Sequence, residues 1–131
     1  MSKKADQVQM DQLINRWIAT NAPNIGVTCT ASSGAPKTAG GRLTCDGVLW
    51  SANNGKGAAA ATFTASIRDA SIGGTVLESW EVVVAAGVGA VDAYYLQVPG
   101  LVGNQLVFEF GTPNASTTQR ATIAGWQEDF R

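Results

Sequence analysis

From Asn24 onward the chain alternates apolar and polar residues, and this alternation constrains its fold more than any other feature. The cleanest stretch runs from Thr62 to Asp69. There Phe63, Ala65 and Ile67 point one way, and Thr64, Ser66 and Arg68 the other. Ile25, Val27 and Cys29 alternate with Gly26, Thr28 and Thr30. Leu43 and Cys45 alternate with Arg42, Thr44 and Asp46, and that run continues through Val48-Leu49-Trp50. Further strands are predicted at 75–85, 91–98, 105–110 and 117–126. The third of these places Leu106, Phe108 and Phe110 inward, with Val107 and Glu109 opposite. Turn chemistry separates the runs at Gly40-Gly41, Asn53-Asn54-Gly55, Gly73-Gly74, Pro99-Gly100, Gly103-Asn104 and Pro113-Asn114. Segments 32–41 and 51–61 read as loops. About seven short strands so punctuated predict an all-β fold, an antiparallel β-sandwich with the jelly roll among its forms; a barrel is the lesser alternative.

The first twenty residues follow a different period. Met10, Leu13, Ile14, Trp17 and Ile18 recur at the spacing of one α-helical stripe, and Asn21-Ala22-Pro23 ends it because Pro23 disfavours α geometry at Ala22. The expected organisation is therefore an N-terminal amphipathic helix over 1–22 ahead of a β-sandwich domain over 23–131. Covering five large apolar side chains contributes roughly 5–10 kcal/mol before entropy costs. Two covers are open: the end of the chain's own sandwich, or a neighbouring subunit that takes the helix in a groove. These five residues are the expected assembly and partner-binding set.

Composition then removes several function classes. Only 15% of the 131 residues are charged, against roughly 25% in an ordinary domain, and nine basic and ten acidic residues give a net charge of −1. No basic stripe exists to neutralise phosphates, so nucleic acid is not an expected partner. No apolar run approaches a membrane span, and Met1-Ser2-Lys3-Lys4 is not followed by the apolar core of a signal peptide. Synthesis and retention in the cytoplasm are expected, with release in a particle or by lysis. Cys29 and Cys45 then read as two reduced, buried thiols; a disulfide forms only if the strands flanking segment 32–41 pair as a hairpin.

Catalytic chemistry is scarce. Histidine is absent, which removes the triads that depend on it and every His-containing metal site. Glu78 and Glu81 are an odd number of residues apart in one predicted strand, so they face opposite ways. Nothing local brings Asp92 to Glu109. Asn54-Gly55-Lys56-Gly57 lacks the spacing of a phosphate loop, and no Asp-x-Asp-x-Asp run offers a calcium site. No enzyme activity, metal or other cofactor is expected. The aromatics offer a binding alternative: Tyr94 and Tyr95 must face opposite ways. An exposed platform built from Trp50, Trp80, Tyr95 or Trp126 would suit stacking on sugar rings, in a carbohydrate-binding module or a fibre-type receptor-binding domain.

Three features taken together resemble small structural proteins of tailed bacteriophages. They are the Met1-Ser2-Lys3-Lys4 start before the stripe ending at Trp17-Ile18, the Ala/Gly/Thr-rich strand Gly57–Thr64, and Tyr94-Tyr95-Leu96-Gln97-Val98-Pro99-Gly100-Leu101 followed by Leu106–Phe110. The resemblance implies a capsid decoration (cement) protein, or a tail or connector component. Such a protein forms a homo-oligomer, binds another virion protein and resides in the virion after synthesis in the host cytoplasm.

Overall fold

A computed structural model describes residues 16–129 apart from 39, 56–58, 88, 112 and 114. Met10, Leu13 and Ile14 of the expected helical stripe lie outside the described residues. These form eight strands: β1 (Arg16–Asn21), β2 (Thr30–Ser32), β3 (Gly41–Asn54), β4 (Ala61–Asp69), β5 (Val76–Val84), β6 (Gly89–Pro99), β7 (Leu106–Phe110) and β8 (Thr117–Asp129). They make two four-stranded antiparallel sheets, β1-β8-β3-β6 (sheet I) and β2-β7-β4-β5 (sheet II). Every connection but β4–β5 passes from one sheet to the other. This is the strand order of a jelly roll.

The two inward faces meet in one core. Leu43, Cys45, Val48, Trp50 and Ile123 come from sheet I, and Phe63, Ile67, Val82, Leu106, Phe108 and Phe110 from sheet II. Phe110 joins the sheets: its ring is edge-on to Phe108 at 5.0 Å and to Trp50 of β3 at 6.2 Å. Such pairs add about 0.5–1.5 kcal/mol each beyond area burial. The inward phase read from Phe63, Ala65, Ile67, Leu106, Phe108 and Phe110 holds, since all six are at most 3% exposed.

Trp17 and Ile18 belong to a strand, not to a helix. β1 pairs with β8 from Arg16↔Trp126 to Asn21↔Ala121. Trp17 and Ala19 turn against the core while Ile18 and Thr20 face outward. The helical spacing loses because the β8 edge satisfies a row of β1 backbone groups. It also offers Trp17 Nε1 a carbonyl acceptor on Trp126 at 3.2 Å. Residues 16–21 are thus a strand of the sandwich. Two further departures concern the region after it. The alternation at Ile25–Cys29 is loop, and only Thr30–Ser32 pairs. β3 runs on to Asn54, through part of the segment expected to be a loop.

β3 also contains a bulge. Against β8 its register shifts between Cys45 and Gly47 and leaves Asp46 as the extra residue, whereas against β6 the same step spans Tyr95 to Val98 and the extra residue lies on β6. Gly125 of β8 lies opposite Cys45, and a Cβ there would collide with the Thr44 carbonyl. The bulge therefore requires glycine at 125.

Buried amides fasten the ends of the sandwich. Gln119, fully buried on β8, accepts from Cys29 N–H and donates to the Gly111 carbonyl, both at 2.9 Å. Asn54 accepts from the Thr117 hydroxyl at 2.6 Å and donates to the Ala59 and Ala85 carbonyls at 3.1 Å. Gln127 accepts from Lys37 N–H at 2.8 Å and donates to Thr38 Oγ1 at 3.1 Å. Each ties sheet I to loops that lead into or out of sheet II.

Candidate functional site

Two surfaces stand out, and the first is the outward face of sheet I. Ladder pairing sets Ile18, Ala124, Gly47 and Tyr95 in one row, and Thr20, Thr122, Leu49 and Ala93 in the next. Three large side chains rise from this otherwise small-residue surface: Ile18 at 73% exposure, Leu49 at 55% and Tyr95 at 85%. The β3 bulge shapes it further by re-aiming Asp46 toward Arg16. Their side chains form a two-pronged ion pair, Nη1–Oδ2 at 2.9 Å and Nη2–Oδ1 at 3.0 Å. That hydrogen bond raises the Arg16 pKa further above its ordinary value, and the fork carries no net charge.

The result is a hollow of about 290 Å³ bounded by Tyr95, Leu49 and the Arg16–Asp46 fork, with Gly47, Ala93 and Ala124 among the residues lining it. A second hollow of about 380 Å³ adjoins it, sharing Leu49 and Thr122 and reaching Thr20, Ser51 and Arg120. The Thr20 and Thr122 hydroxyls hydrogen-bond each other at 2.9 Å. Arg120 is exposed and has no ion pair among the described residues.

The second surface is the end of the sandwich where the β2–β3, β4–β5 and β6–β7 connections gather. Ile72, Leu101, Val102 and Val76 are 65%, 58%, 55% and 46% exposed there. The loops carrying them are fastened together. Asn104 donates to both carboxylate oxygens of Asp69 at 3.2 Å, Ala70 N–H donates to the Gln105 carbonyl at 3.0 Å, and the Gln105 side chain donates to the Ala70 carbonyl at 2.7 Å. Ser32 Oγ donates to Gln105 Oε1 at 2.6 Å, and Gly103 N–H to the Gly41 carbonyl at 2.8 Å. Ala70 is held at φ +68°, a left-handed conformation that costs an L-residue about 1–2 kcal/mol. Strain of this kind persists where surrounding bonds over-determine a loop.

The residues expected from the sequence divide unevenly between these surfaces. Tyr95 and Ile18 are exposed on the sheet I face. Trp50 is 8% exposed in the core, and Trp80 is half-buried, with its ring centroid 6.1 Å from that of Phe108. Trp126, 9% exposed opposite Arg16, donates its indole N–H to Glu128 Oε1 at 3.0 Å. Large rings are the best core fillers available, so a shared aromatic platform does not form; Tyr95 is the one of the four that is exposed.

Cys29 and Cys45 are free and buried. The hairpin that would join them is absent, because β2 pairs with β7 in sheet II and β3 with β6 and β8 in sheet I. Burial pushes both thiols up to about 11. They are protonated and poor nucleophiles near neutral pH. Glu109 pairs with Arg68 at 2.7 Å on sheet II, whereas Asp92 belongs to β6 of sheet I. Among the described residues no group of three or more Cys, Asp or Glu gathers to hold a metal ion.

No family model matches the chain, and no curated protein does. Among solved structures it is similar to a protein of the Bacillus endospore appendages, described as a novel family of disulfide-linked pili. Identity is 14% over 88% of this chain and 91% of that one, with a TM-score of 0.32. It is also similar to a CBM4 structure, with 9% identity, 89% and 96% coverage and a TM-score of 0.34.

Proposed function

We propose that this chain is a non-enzymatic virion structural protein of the capsid-decoration kind, which assembles with its own copies and docks on the capsid through the fastened loop end. The supporting observation is the set of exposed side chains there, Ile72, Leu101 and Val102 on loops already ordered by hydrogen bonds and Val76 at the start of β5. Loops held in place lose little further entropy on binding. The chain enters β1 from the same end, since Arg16 pairs with Trp126 and Asn21 with Ala121 while β8 ends at Asp129.

Magnitude decides what kind of partner suits this surface. Covering what is still exposed of four such side chains yields roughly 3–7 kcal/mol gross, against an association cost of about 4–15 kcal/mol. One contact alone is weak. Repeated contacts on a regular surface, made by an oligomer, multiply it through effective concentration. Bacteriophage capsids are such surfaces, which agrees with the resemblance read from the sequence.

The test uses a triple variant, Ile72→Asp, Leu101→Asp and Val102→Asp. Light scattering of the native chain should read a closed oligomer, and the variant a monomer with unchanged circular dichroism. Electron microscopy of virions should show the native chain on the capsid exterior and the variant missing from it. A native chain that is monomeric and never found on particles would sink the reading.

A further inference from the structure

The outward face of sheet I is left free by docking through the loop end, and its shape calls for a different ligand. We propose that the two adjoining hollows bind a neutral oligosaccharide, lying diagonally across β6, β3 and β8 with one pyranose ring stacked on Tyr95. This goes beyond the assembly reading and does not depend on it.

Four observations carry the inference. First, Tyr95 is 85% exposed although the other large rings among the described residues are buried or half-buried, and its ring lies within 3.8 Å of the position a Cβ on Gly47 would take. The missing side chain at Gly47 leaves open floor beside the ring. Second, the face is electrically balanced at that end, because Asp46 neutralises Arg16 across two hydrogen bonds. A charged ligand would gain nothing there, whereas sugar hydroxyls can both donate to the carboxylate and accept from the guanidinium. Third, the remaining polar groups in reach are hydroxyls and one exposed cation: Thr20, Thr122, Ser51 and Arg120. They suit ring hydroxyls and offer no concentrated charge for an ionic ligand. Fourth, the hollows measure about 290 and 380 Å³ and share a divide at Leu49 and Thr122, so they form one shallow track with two seats. From strand spacing and rise, Tyr95 and Arg120 are about 16 Å apart, a reach suited to a short oligosaccharide and too long for a single ring.

A protein partner fits this face less well. Its large exposed apolar side chains are Ile18, Leu49 and Tyr95, set apart by Ala, Gly and Thr, so it lacks the close-packed apolar centre of a stable interface.

The experiment is calorimetric titration of the full chain with cellohexaose, chitohexaose and maltohexaose at millimolar concentration. At least one should bind. Tyr95→Ala should weaken that binding about tenfold, and Tyr95→Phe should preserve it. Amide chemical-shift changes should fall on β3, β6 and β8 and spare the loop end. No binding by any of the three sugars overturns the proposal, as does binding that Tyr95→Ala leaves intact. Capsid docking is read separately from the triple Asp variant, so either idea can fail alone.

Discussion

Replacing Gln119 with Leu isolates what a buried amide does in this sandwich. The two side chains are close in size, so little cavity is created, and the change removes two hydrogen bonds from a residue with 0% exposure. The Cys29 N–H would be stranded in the core, at a cost of about 1–3 kcal/mol. The Gly111 carbonyl is only half-buried and can turn to water, so its loss is nearer 0.5–1.5 kcal/mol. Against this, the added apolar carbon returns about 0.8 kcal/mol. The net expectation is a destabilisation of roughly 1–4 kcal/mol, large beside a total of about 5–15 kcal/mol. Guanidinium unfolding measures it as a shift in midpoint at constant slope. The same substitution at exposed Gln97 is the control and should stay within about 0.5 kcal/mol.

Gln119→Glu sharpens the test. Its carboxylate would still accept from Cys29 N–H, but its second oxygen would face the Gly111 carbonyl, so burial and repulsion raise its pKa. The variant should therefore be closest to the native chain in acid, where the protonated oxygen donates. It should fall behind as pH rises through the raised pKa. Equal stability of the Leu variant and the native chain would refute the fastening role.

Two other outcomes follow from the fold. Gly125→Ala forces a Cβ against the Thr44 carbonyl and should cost about 3 kcal/mol or more, read as a lower thermal midpoint or lost soluble yield; an unchanged midpoint would mean the bulge relaxes freely. The buried thiols ionise near 11 when folded and near 9.0 when unfolded, so their contribution is complete below about pH 9 and is lost as pH rises toward about 11. Native stability should thus fall more steeply between those values than that of the Cys29→Ala, Cys45→Ala variant, by a few kcal/mol in all, and parallel urea-midpoint curves would contradict it.

Much of this architecture is legible in the sequence, because β4, β7 and β8 each carry a run of alternate inward side chains. Phe63-Ala65-Ile67 and Leu106-Phe108-Phe110 announce both their strands and their buried faces. What escapes is whatever non-local pairing decides. Trp17 and Ile18 satisfy a helical spacing with Met10, Leu13 and Ile14, and only the β8 edge, more than a hundred residues away, selects the strand. The cysteine hairpin fails for the same reason, since sequence adjacency of β2 and β3 does not place them in one sheet. Some missed features did leave a trace. The buried apolar side chains of β3 fall at 43 and 45 and then at 48, 50 and 52, and that change from odd to even marks the bulge at Asp46. Gln119 shares the inward phase of Thr117, Ala121 and Ile123, which marks a polar side chain bound for the core. Ile72, Leu101 and Val102 are large apolar residues set among turn glycines, where a loop has no internal use for them.

The bulge links the stability of the fold to the shape of its exposed face. Gly125 lets β8 approach Thr44; the approach leaves Asp46 unpaired in the ladder; and the unpaired residue meets Arg16 at the start of β1. That ion pair is half exposed and by itself contributes little, about 0–1 kcal/mol. Its value is positional. It closes one wall of the hollow beside Tyr95, and it clamps the first residue of an edge strand that only β8 holds by backbone pairing. A side chain at Gly125 would therefore act twice, once on packing and once on the face where Tyr95 stands. Removing Asp46 alone would act on the face and spare the core. The difference between those two perturbations separates the bulge as a packing solution from the bulge as the device that shapes a binding surface.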